Sequence, residues 1–310
     1  MRLALAIVLA TILAGCQSQP SVAPAIDPSI DVATTASANP PLPAPKPCAE
    51  DAGWSDPTPP RHVFGNTWFV GTCSIGAFLI TSPDGHVLID AATVEAAPHI
   101  ITNIRAAGFK VEDIKTILVT HEHHDHVGGV SALQKASGAK VWARAPAAEA
   151  LKAGRGDRRD PQFGILDPFP PVANVETLAD GDEVTLGPLR IRNLPMTGHT
   201  AGGSGWAWRS CEGSTCRDIV FPDSNSAISD KTYRYSDHPA HVAAFRDGLD
   251  RVAAQPCDIL LTTHVQSSDM LARLDGRKPL VDSTACKAYA ERGLAGLEKR
   301  LADERAGKAP

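Results

Sequence analysis

The sequence predicts an α/β fold in which two β-sheets are covered by helices, all within one domain. From about residue 60 onward, strand-like segments alternate with segments of helical spacing. Hydrophobic residues make up 43% of the 310 residues, which is enough for a substantial core. Residues 114–119 form a continuous apolar run, as expected of a strand that is buried on both faces. The order of the strands does not follow from these patterns.

The predicted strands are short apolar or β-branched runs that end at polar or turn-forming residues. In chain order they lie at 63–70, 77–81, 87–89, 114–119, 140–143, 184–186, 189–194, 206–208, 219–221 and 259–262. The predicted helices carry apolar residues at helical spacing and lie at 95–107, 127–137, 241–254 and 285–305. Residues 154–173 are rich in Gly, Pro and charged residues, and we expect a loop there.

The charge balance narrows the class of partner. The chain has 30 Lys and Arg residues against 35 Asp and Glu residues, a formal net charge of −5. This excludes a strongly basic nucleic-acid binder as the default interpretation. Aromatic residues make up only 5% of the chain, which also weakens a base-stacking role. We expect no nucleic-acid partner.

The N-terminus has the pattern of an export signal. Arg2 precedes an apolar run at 3–13, which is too short for a spanning helix of about 20 residues. A run of this kind is typical of a secretory signal peptide, which we place at residues 1–15. Leu13-Ala14-Gly15-Cys16 resembles the bacterial lipoprotein box, which implies acylation of Cys16. The alternative is an ordinary cleaved signal with a cysteine nearby by chance.

A proline-rich segment follows the predicted lipid site. Residues 16–47 contain eight prolines diluted in Ala, Ser and Thr, as in semi-extended linkers. We expect this segment to tether a globular domain at 48–310. Gln17 stands where an aspartate would indicate the inner membrane, so the resemblance implies anchoring to the outer membrane, within the periplasm.

The cysteines indicate disulfides. Without Cys16, six remain, and an even number in an exported protein favours disulfide bonds, with 15 possible connectivities. Cys211 and Cys216 lie five residues apart, a spacing that suits closure of a hairpin. Local pairing would then leave Cys48–Cys73 and Cys257–Cys286 as the simplest remainder. A thiolate zinc site is the alternative, but the chain has no C-x-x-C pair.

The strongest chemical signal is a histidine cluster, His121-Glu122-His123-His124-Asp125-His126, directly after the apolar run 114–119. In an extended segment, alternate residues point to one side, so His121 and His123 can reach one metal ion together. Asp125 and His126 lie where the chain turns into the next helix and can address a second ion. Imidazole and carboxylate groups are ligands that suit zinc.

Two further histidines occur in the same context. His199 follows the predicted strand 189–194, and His264 follows the strand-like run 259–262. Side chains at the carboxyl ends of different strands converge on one crevice in many α/β proteins. We therefore expect both histidines to join the same metal site.

These motifs resemble the metallo-β-lactamase superfamily, in which H-x-H-x-D-H follows a strand and further histidines follow later strands. Further segments resemble subclass B3 of that superfamily and lie at 65–72, 81–90, 198–200, 257–262 and 285–290. The resemblance covers about residues 50–300. It implies an αββα sandwich, with two mixed β-sheets flanked by helices, and two zinc ions per chain.

Carried over residue by residue, the resemblance implies two sets of metal ligands. The first zinc ion would be bound by His121, His123 and His199, and the second by Asp125, His126 and His264. Ser224 matches the position at which other subclasses have a cysteine ligand. The family's disulfide matches Cys257–Cys286, and some members add the other two pairs.

The implied activity is hydrolysis of the β-lactam amide of penicillins, cephalosporins and carbapenems, small molecules that a monomer would bind. Zinc lowers the pKa of bound water to about 7, and Asp125 would orient this nucleophile. We assign Ser224 and Ser226 to the substrate carboxylate and bound water, and Gln162 to the substituents of the β-lactam ring.

Several features leave alternatives open. Glu122 and His124 alternate with the ligands, so we expect them to point away from the metals. Val265 replaces the proline usual in the family. If Asp223 bridged the metals, the site would be more like that of a lactone or thioester hydrolase. A zinc-binding lipoprotein without catalysis and a disulfide-rich scaffold are the remaining alternatives.

Overall fold

The computed structural model describes residues 48–308. The predicted signal peptide, the tether and Cys16 lie outside the described residues. None of the helices within 48–308 combines the length and the hydropathy needed to cross a bilayer.

Two β-sheets form the centre of the described part of the chain. The first has seven strands in the spatial order β1 to β7, which are Arg61–Phe64, Thr67–Phe69, Phe78–Ile80, His86–Ile89, Ile114–Leu118, Lys140–Arg144 and Val175–Leu178. Strands β1 to β4 are antiparallel, and β4 to β7 are parallel. The prediction of a mixed sheet is therefore confirmed for this half.

The second sheet has five strands, which are β8 (Glu183–Leu186), β9 (Leu189–Pro195), β10 (Ser204–Glu212), β11 (Thr215–Phe221) and β12 (Ile259–Leu260). Their spatial order is β12-β11-β10-β9-β8. All neighbours are antiparallel except β11 and β12, which are parallel, so this sheet is mixed as well.

Seven α-helices lie within residues 48–308. They are α1 (Ala97–Ala106), α2 (His124–Val127), α3 (Val130–Ser137), α4 (Ala145–Ala153), α5 (Pro239–Ala253), α6 (Met270–Leu274) and α7 (Ala285–Arg305). Helices α1 and α3 pack on the first sheet, where Ile104 and Leu133 join one core cluster with Leu88. On the other side, α7 packs on the second sheet, where Tyr289 lies in one cluster with Val220.

The alternation of side chains explains why the central strands are apolar throughout. In β4, Leu88 points to the outer core beneath α1, whereas Val87 and Ile89 point into the core between the sheets. Because both faces of the sheet are covered, each position of the strand needs an apolar side chain. The order helices–sheet–sheet–helices is the predicted αββα sandwich.

The structure corrects several predicted elements. The run 63–70 is a hairpin, because Gly65 has a positive φ of 56° and reverses the chain between β1 and β2. Helix α4 and strand β7 were not predicted. The helix expected at 127–137 begins only at Val130, as α3, and Val127 instead ends the short helix α2.

The three predicted disulfides are present. Cys211 and Cys216 face each other on the β10–β11 hairpin, with their Cα atoms 4.0 Å apart. A second bond joins Cys257, just before β12, to Cys286 in α7. The third, Cys48–Cys73, ties the beginning of the described chain to the loop before β3.

Candidate metal centre

The candidate site lies where strands of both sheets end. His121 follows β5, His199 follows β9, Asp223 follows β11, and His264 follows β12. The motif then turns directly into α2, which begins at His124 and therefore contains Asp125 and His126. The carboxyl ends of these strands bring His121, His199, Asp223 and His264 into one crevice.

Two groups of side chains in this crevice have the geometry of metal sites. His121, His123 and His199 each offer a ligand atom, and these atoms lie within 4.8 Å of one another. Asp125, His126 and His264 form a second group under the same limit. These are the two sets that the family resemblance implied, and the structure brings the members of each set together.

Each histidine of the first group is held at one ring nitrogen by a neighbour. Nδ1 of His121 lies 2.7 Å from Asp223, and Nε2 of His123 lies 3.0 Å from Asp160. Nδ1 of His199 lies 3.0 Å from the backbone oxygen of Ser226. A partner at one nitrogen fixes the orientation of the ring and leaves the other nitrogen for a ligand.

A bound metal would fit this group. The Nε2 atom of His121 is buried and has no hydrogen-bond partner within residues 48–308. An unpaired buried nitrogen is costly, and coordination of a cation would remove that cost. Three imidazoles in one group, and two with a carboxylate in the other, are donors that zinc accepts.

Burial keeps most of these imidazoles neutral. It lowers the pKa of His199 to about 3 and that of His264 to about 4, with smaller effects from neighbouring groups. The pKa of His121 is also lowered well below its usual value by burial. Because only the neutral ring has a lone pair for a metal, these three histidines can bind a metal at neutral pH without losing a proton.

Asp125 is the anionic member of the second group. Its Oδ2 atom lies 3.1 Å from Nε2 of His126 and 3.5 Å from Nε2 of His264. Burial opposes the imidazolium of His126, but the Asp125 carboxylate outweighs this effect and raises the pKa of His126 to about 10. Burial also opposes ionisation of Asp125, yet the charge of His126 lowers the pKa of Asp125. Metal binding at this group would displace the proton of His126.

Asp90 supports the beginning of the histidine motif and was not identified from the sequence. It is buried, with a positive φ of 62°, and follows β4. Its carboxylate accepts hydrogen bonds from the backbone N–H and the hydroxyl of Thr120, both at 2.7 Å. A strained backbone that is held by buried hydrogen bonds is typical of functional sites. The signal available in the sequence was an aspartate at the end of an apolar strand.

The predicted substrate-binding residues lie beside the two groups. The Ser224 hydroxyl is 2.9 Å from that of Thr263, next to His264. The Ser226 hydroxyl lies 3.1 Å from Nδ1 of His199. The side-chain amide of Gln162 lies 3.3 Å from Nε2 of the same ring.

The residues that alternate with the ligands point away from them, as predicted. Glu122 is buried and accepts hydrogen bonds from the Thr200 hydroxyl at 2.8 Å and from the Gly202 N–H at 3.2 Å. These hydrogen bonds therefore stabilise the loop that contains His199. His124 is partly exposed and lies beside the ring of Trp54, 5.5 Å away between ring centroids.

The two departures from the family pattern are accommodated locally. Asp223 contacts Nδ1 of His121 and thus orients a ligand ring. Burial raises the pKa of Asp223 and lowers that of His121, which favours a neutral hydrogen-bonded pair. Val265 donates its backbone N–H to the Ser74 oxygen at 3.0 Å, a bond that a proline could not form.

Comparison with known proteins identifies the family of the chain. The sequence profile of the metallo-β-lactamase superfamily matches residues 70–210. The metallo-β-lactamase MIM-1 from Novosphingobium pentaromativorans is 47% identical, with a TM-score of 0.79, and the match covers 82% of this chain and 94% of that one. MEM-A1, a subclass B3 metallo-β-lactamase from a soil metagenome library, is 43% identical with a TM-score of 0.80, over 83% of this chain and 100% of that one.

Curated relatives match over a shorter stretch. A hydroxyacylglutathione hydrolase from Jannaschia sp. (strain CCS1) is 34% identical over 126 residues, which is 41% of this chain and 40% of the relative. A second, from Bradyrhizobium sp. (strain ORS 278), is 28% identical over 50% of this chain and 52% of its own length. The chain thus spans about half or less of these relatives. Because the solved structures match over nearly their full length, the chain belongs to the metallo-β-lactamase superfamily, within which it groups with the subclass B3 enzymes.

Proposed function

We propose that this protein is a zinc-dependent hydrolase that opens the β-lactam ring of penicillins, cephalosporins and carbapenems and thereby confers resistance to them. The observation that carries the proposal is the pair of ligand groups in one crevice. Enzymes of similar sequence and fold are named metallo-β-lactamases. We propose two zinc ions per chain, one for each group.

Zinc bound in these groups would lower the pKa of water to about 7 and polarise the carbonyl of the substrate. The chain's own part is to position the reactants. Asp125 is ionised at neutral pH and buried in the crevice, so its carboxylate can accept a hydrogen bond from a water and thereby orient it. Neutral His199 and His264 add no positive charge that would compete with the cations.

The polar groups at the crevice would orient the substrate. The Ser226 hydroxyl lies beside His199, and the Ser224 hydroxyl contacts Thr263, the residue before His264. Both hydroxyls can donate to a carboxylate or to a bridging water. Gln162 brings an amide to the His199 side, where it can contact the substituents of the ring.

The full-length protein should take up zinc and hydrolyse a penicillin, a cephalosporin and a carbapenem, and chelation should abolish this hydrolysis. The check is metal analysis together with absorbance assays before and after chelator treatment. Re-addition of zinc is the control, because it should restore the rate. Uptake of two zinc ions with turnover of a lactone or thioester, but of no β-lactam, would falsify the substrate assignment.

Thioester hydrolysis is the second candidate, because the curated relatives are hydroxyacylglutathione hydrolases. Two observations favour the β-lactam proposal over it. The relatives match over half of their length or less, and Asp223 contacts His121 instead of joining both ligand groups. Zinc uptake without any turnover would instead support a zinc-binding lipoprotein.

We further propose that the protein acts in the periplasm as a monomer, anchored to the outer membrane through acylated Cys16. The support is the lipoprotein box that ends at Cys16 and the proline-rich segment after it. Cells grown with labelled palmitate should label the wild-type protein and not a Cys16→Ala variant. Equal labelling of both would rule out acylation at this residue, and light scattering would test the single-chain mass.

A further inference from the structure

Asp160 connects the metal crevice to the loop of residues 157–165. The side chain is almost completely buried, with only 2% of the residue exposed. One carboxylate oxygen lies 3.0 Å from Nε2 of His123, and the other accepts the backbone N–H of Gln162 at 2.7 Å. Each oxygen of this carboxylate therefore has its own partner.

The contact with Asp160 selects which nitrogen of His123 can bind a metal. A carboxylate accepts hydrogen bonds, so the proton of the neutral ring belongs on Nε2 and the lone pair on Nδ1. His121 and His199 are held the other way round, with partners at Nδ1. Without its partner, the His123 ring would be free to exchange tautomers and to rotate.

The loop itself is held at two places. At the inner place, Asp160 fixes the backbone at Gln162, whose side-chain amide reaches Nε2 of His199 at 3.3 Å. At the outer place, the Gly164 N–H donates to the Asp230 carboxylate at 2.8 Å. The Asp230 N–H donates to the Pro161 oxygen at 2.7 Å. Asp230 thus holds the loop without touching a ligand of the metal groups.

We propose that Asp160 is a positioning residue that fixes the metal-binding orientation of His123 and, through the same carboxylate, the place of Gln162 at the crevice. The inference rests on the proposed zinc-dependent function. One side chain thereby couples the affinity of the first ligand group to the position of a loop that borders the substrate.

The test measures zinc affinity in full-length variants by competition with a chromophoric chelator, alongside the melting temperature. Loss of an outer partner of a ligating histidine typically costs about 10–100-fold in metal affinity or activity. We expect Asp160→Ala to weaken binding of the first-group zinc ion by that factor. Asp160→Asn should be intermediate, because the two donors lie at different oxygens of the carboxylate and the amide replaces one of these oxygens by an NH2 group that cannot accept.

Two variants separate positioning from general loop stability. Asp157→Asn changes a carboxylate in the same loop that bonds to Arg159, and it should leave zinc affinity unchanged. Asp230→Asn should loosen the outer end of the loop and raise KM for a β-lactam, again with unchanged zinc affinity. If Asp160→Ala does not fold, zinc affinity is measured in Asp160→Asn instead.

The outcomes are distinct. Unchanged zinc affinity in a folded Asp160 variant would overturn the proposal, and so would an equal loss in Asp230→Asn. If the wild-type protein binds zinc but hydrolyses no β-lactam, the proposed function fails, whereas the zinc titration still decides the role of Asp160.

Discussion

Replacement of Asp125 by asparagine is expected to lower kcat/KM for β-lactam hydrolysis by about 10²–10⁴-fold, the usual share of a positioned acid or base. The variant keeps the volume of the side chain but loses its negative charge. That charge lies 3.1 Å from His126 and 3.5 Å from His264, so its loss affects both the second ligand group and the orientation of water.

The measurement is steady-state kinetics at several zinc concentrations. Saturating zinc restores occupancy of the metal sites. The loss of kcat/KM that persists at saturating zinc therefore reports on the orientation of the nucleophile, and the loss that added zinc reverses reports on metal ligation. Asp167→Asn is the matched control, because Asp167 is an exposed aspartate 3.8 Å from His124, a residue outside both ligand groups. A kcat/KM for Asp125→Asn within about threefold of the wild-type value would show that Asp125 neither orients the nucleophile nor is needed as a ligand.

The ligand groups could be predicted from the sequence because their information is local. The spacing of His121, His123, Asp125 and His126 is set by one strand end and one helix start, which a short window of sequence contains. His199 and His264 are single residues, but each follows an apolar strand, and strand ends of one sheet edge meet. Neither inference needed the order of the strands.

The partners that hold these ligands could not be predicted, because they come from distant parts of the chain. Asp160 reaches His123 across 37 residues, from a loop without a periodic pattern. Asp223 follows β11 in the second sheet but orients His121, which follows β5 in the first. Such pairs depend on how the two sheets face each other, and no local pattern specifies that arrangement.

The strands likewise divide into those that a local apolar pattern predicts and those that it does not. Strands that are buried on both faces, such as β4 and β5, are continuous apolar runs and were predicted. Strand β7 was missed, because it lies at the edge of the first sheet and its pattern Val-Glu-Thr-Leu has only two buried positions. The hairpin at Gly65 was missed because its turn, Gly65 and Asn66, is only two residues long and lies between two strand-like runs.

Trp206→Ala is expected to cause the largest loss of stability in the protein. Trp206 is fully buried in the core between the two sheets, in one cluster with Leu118 and Phe221. Truncation of a buried tryptophan to alanine typically costs about 3–5 kcal/mol through lost burial and the cavity that remains. The indole N–H also donates to the Val119 oxygen at 3.0 Å, and an unpaired buried carbonyl costs about 1–3 kcal/mol more.

Reversible urea unfolding of the oxidised protein would measure this loss, and Trp206→Phe would divide it into its two parts. Phenylalanine restores most of the apolar volume but has no N–H, so the stability that it fails to recover reports mainly on the bond to Val119. Trp54→Ala is the control, because Trp54 is 45% exposed and its truncation should cost little. A loss below about 1 kcal/mol for Trp206→Ala would show that the inter-sheet core is not packed as described.

Because Val119 lies two residues before His121, the Trp206→Phe variant should also bind zinc more weakly if the inter-sheet bond sets the position of the ligands. Unchanged zinc affinity would confine the role of this bond to stability.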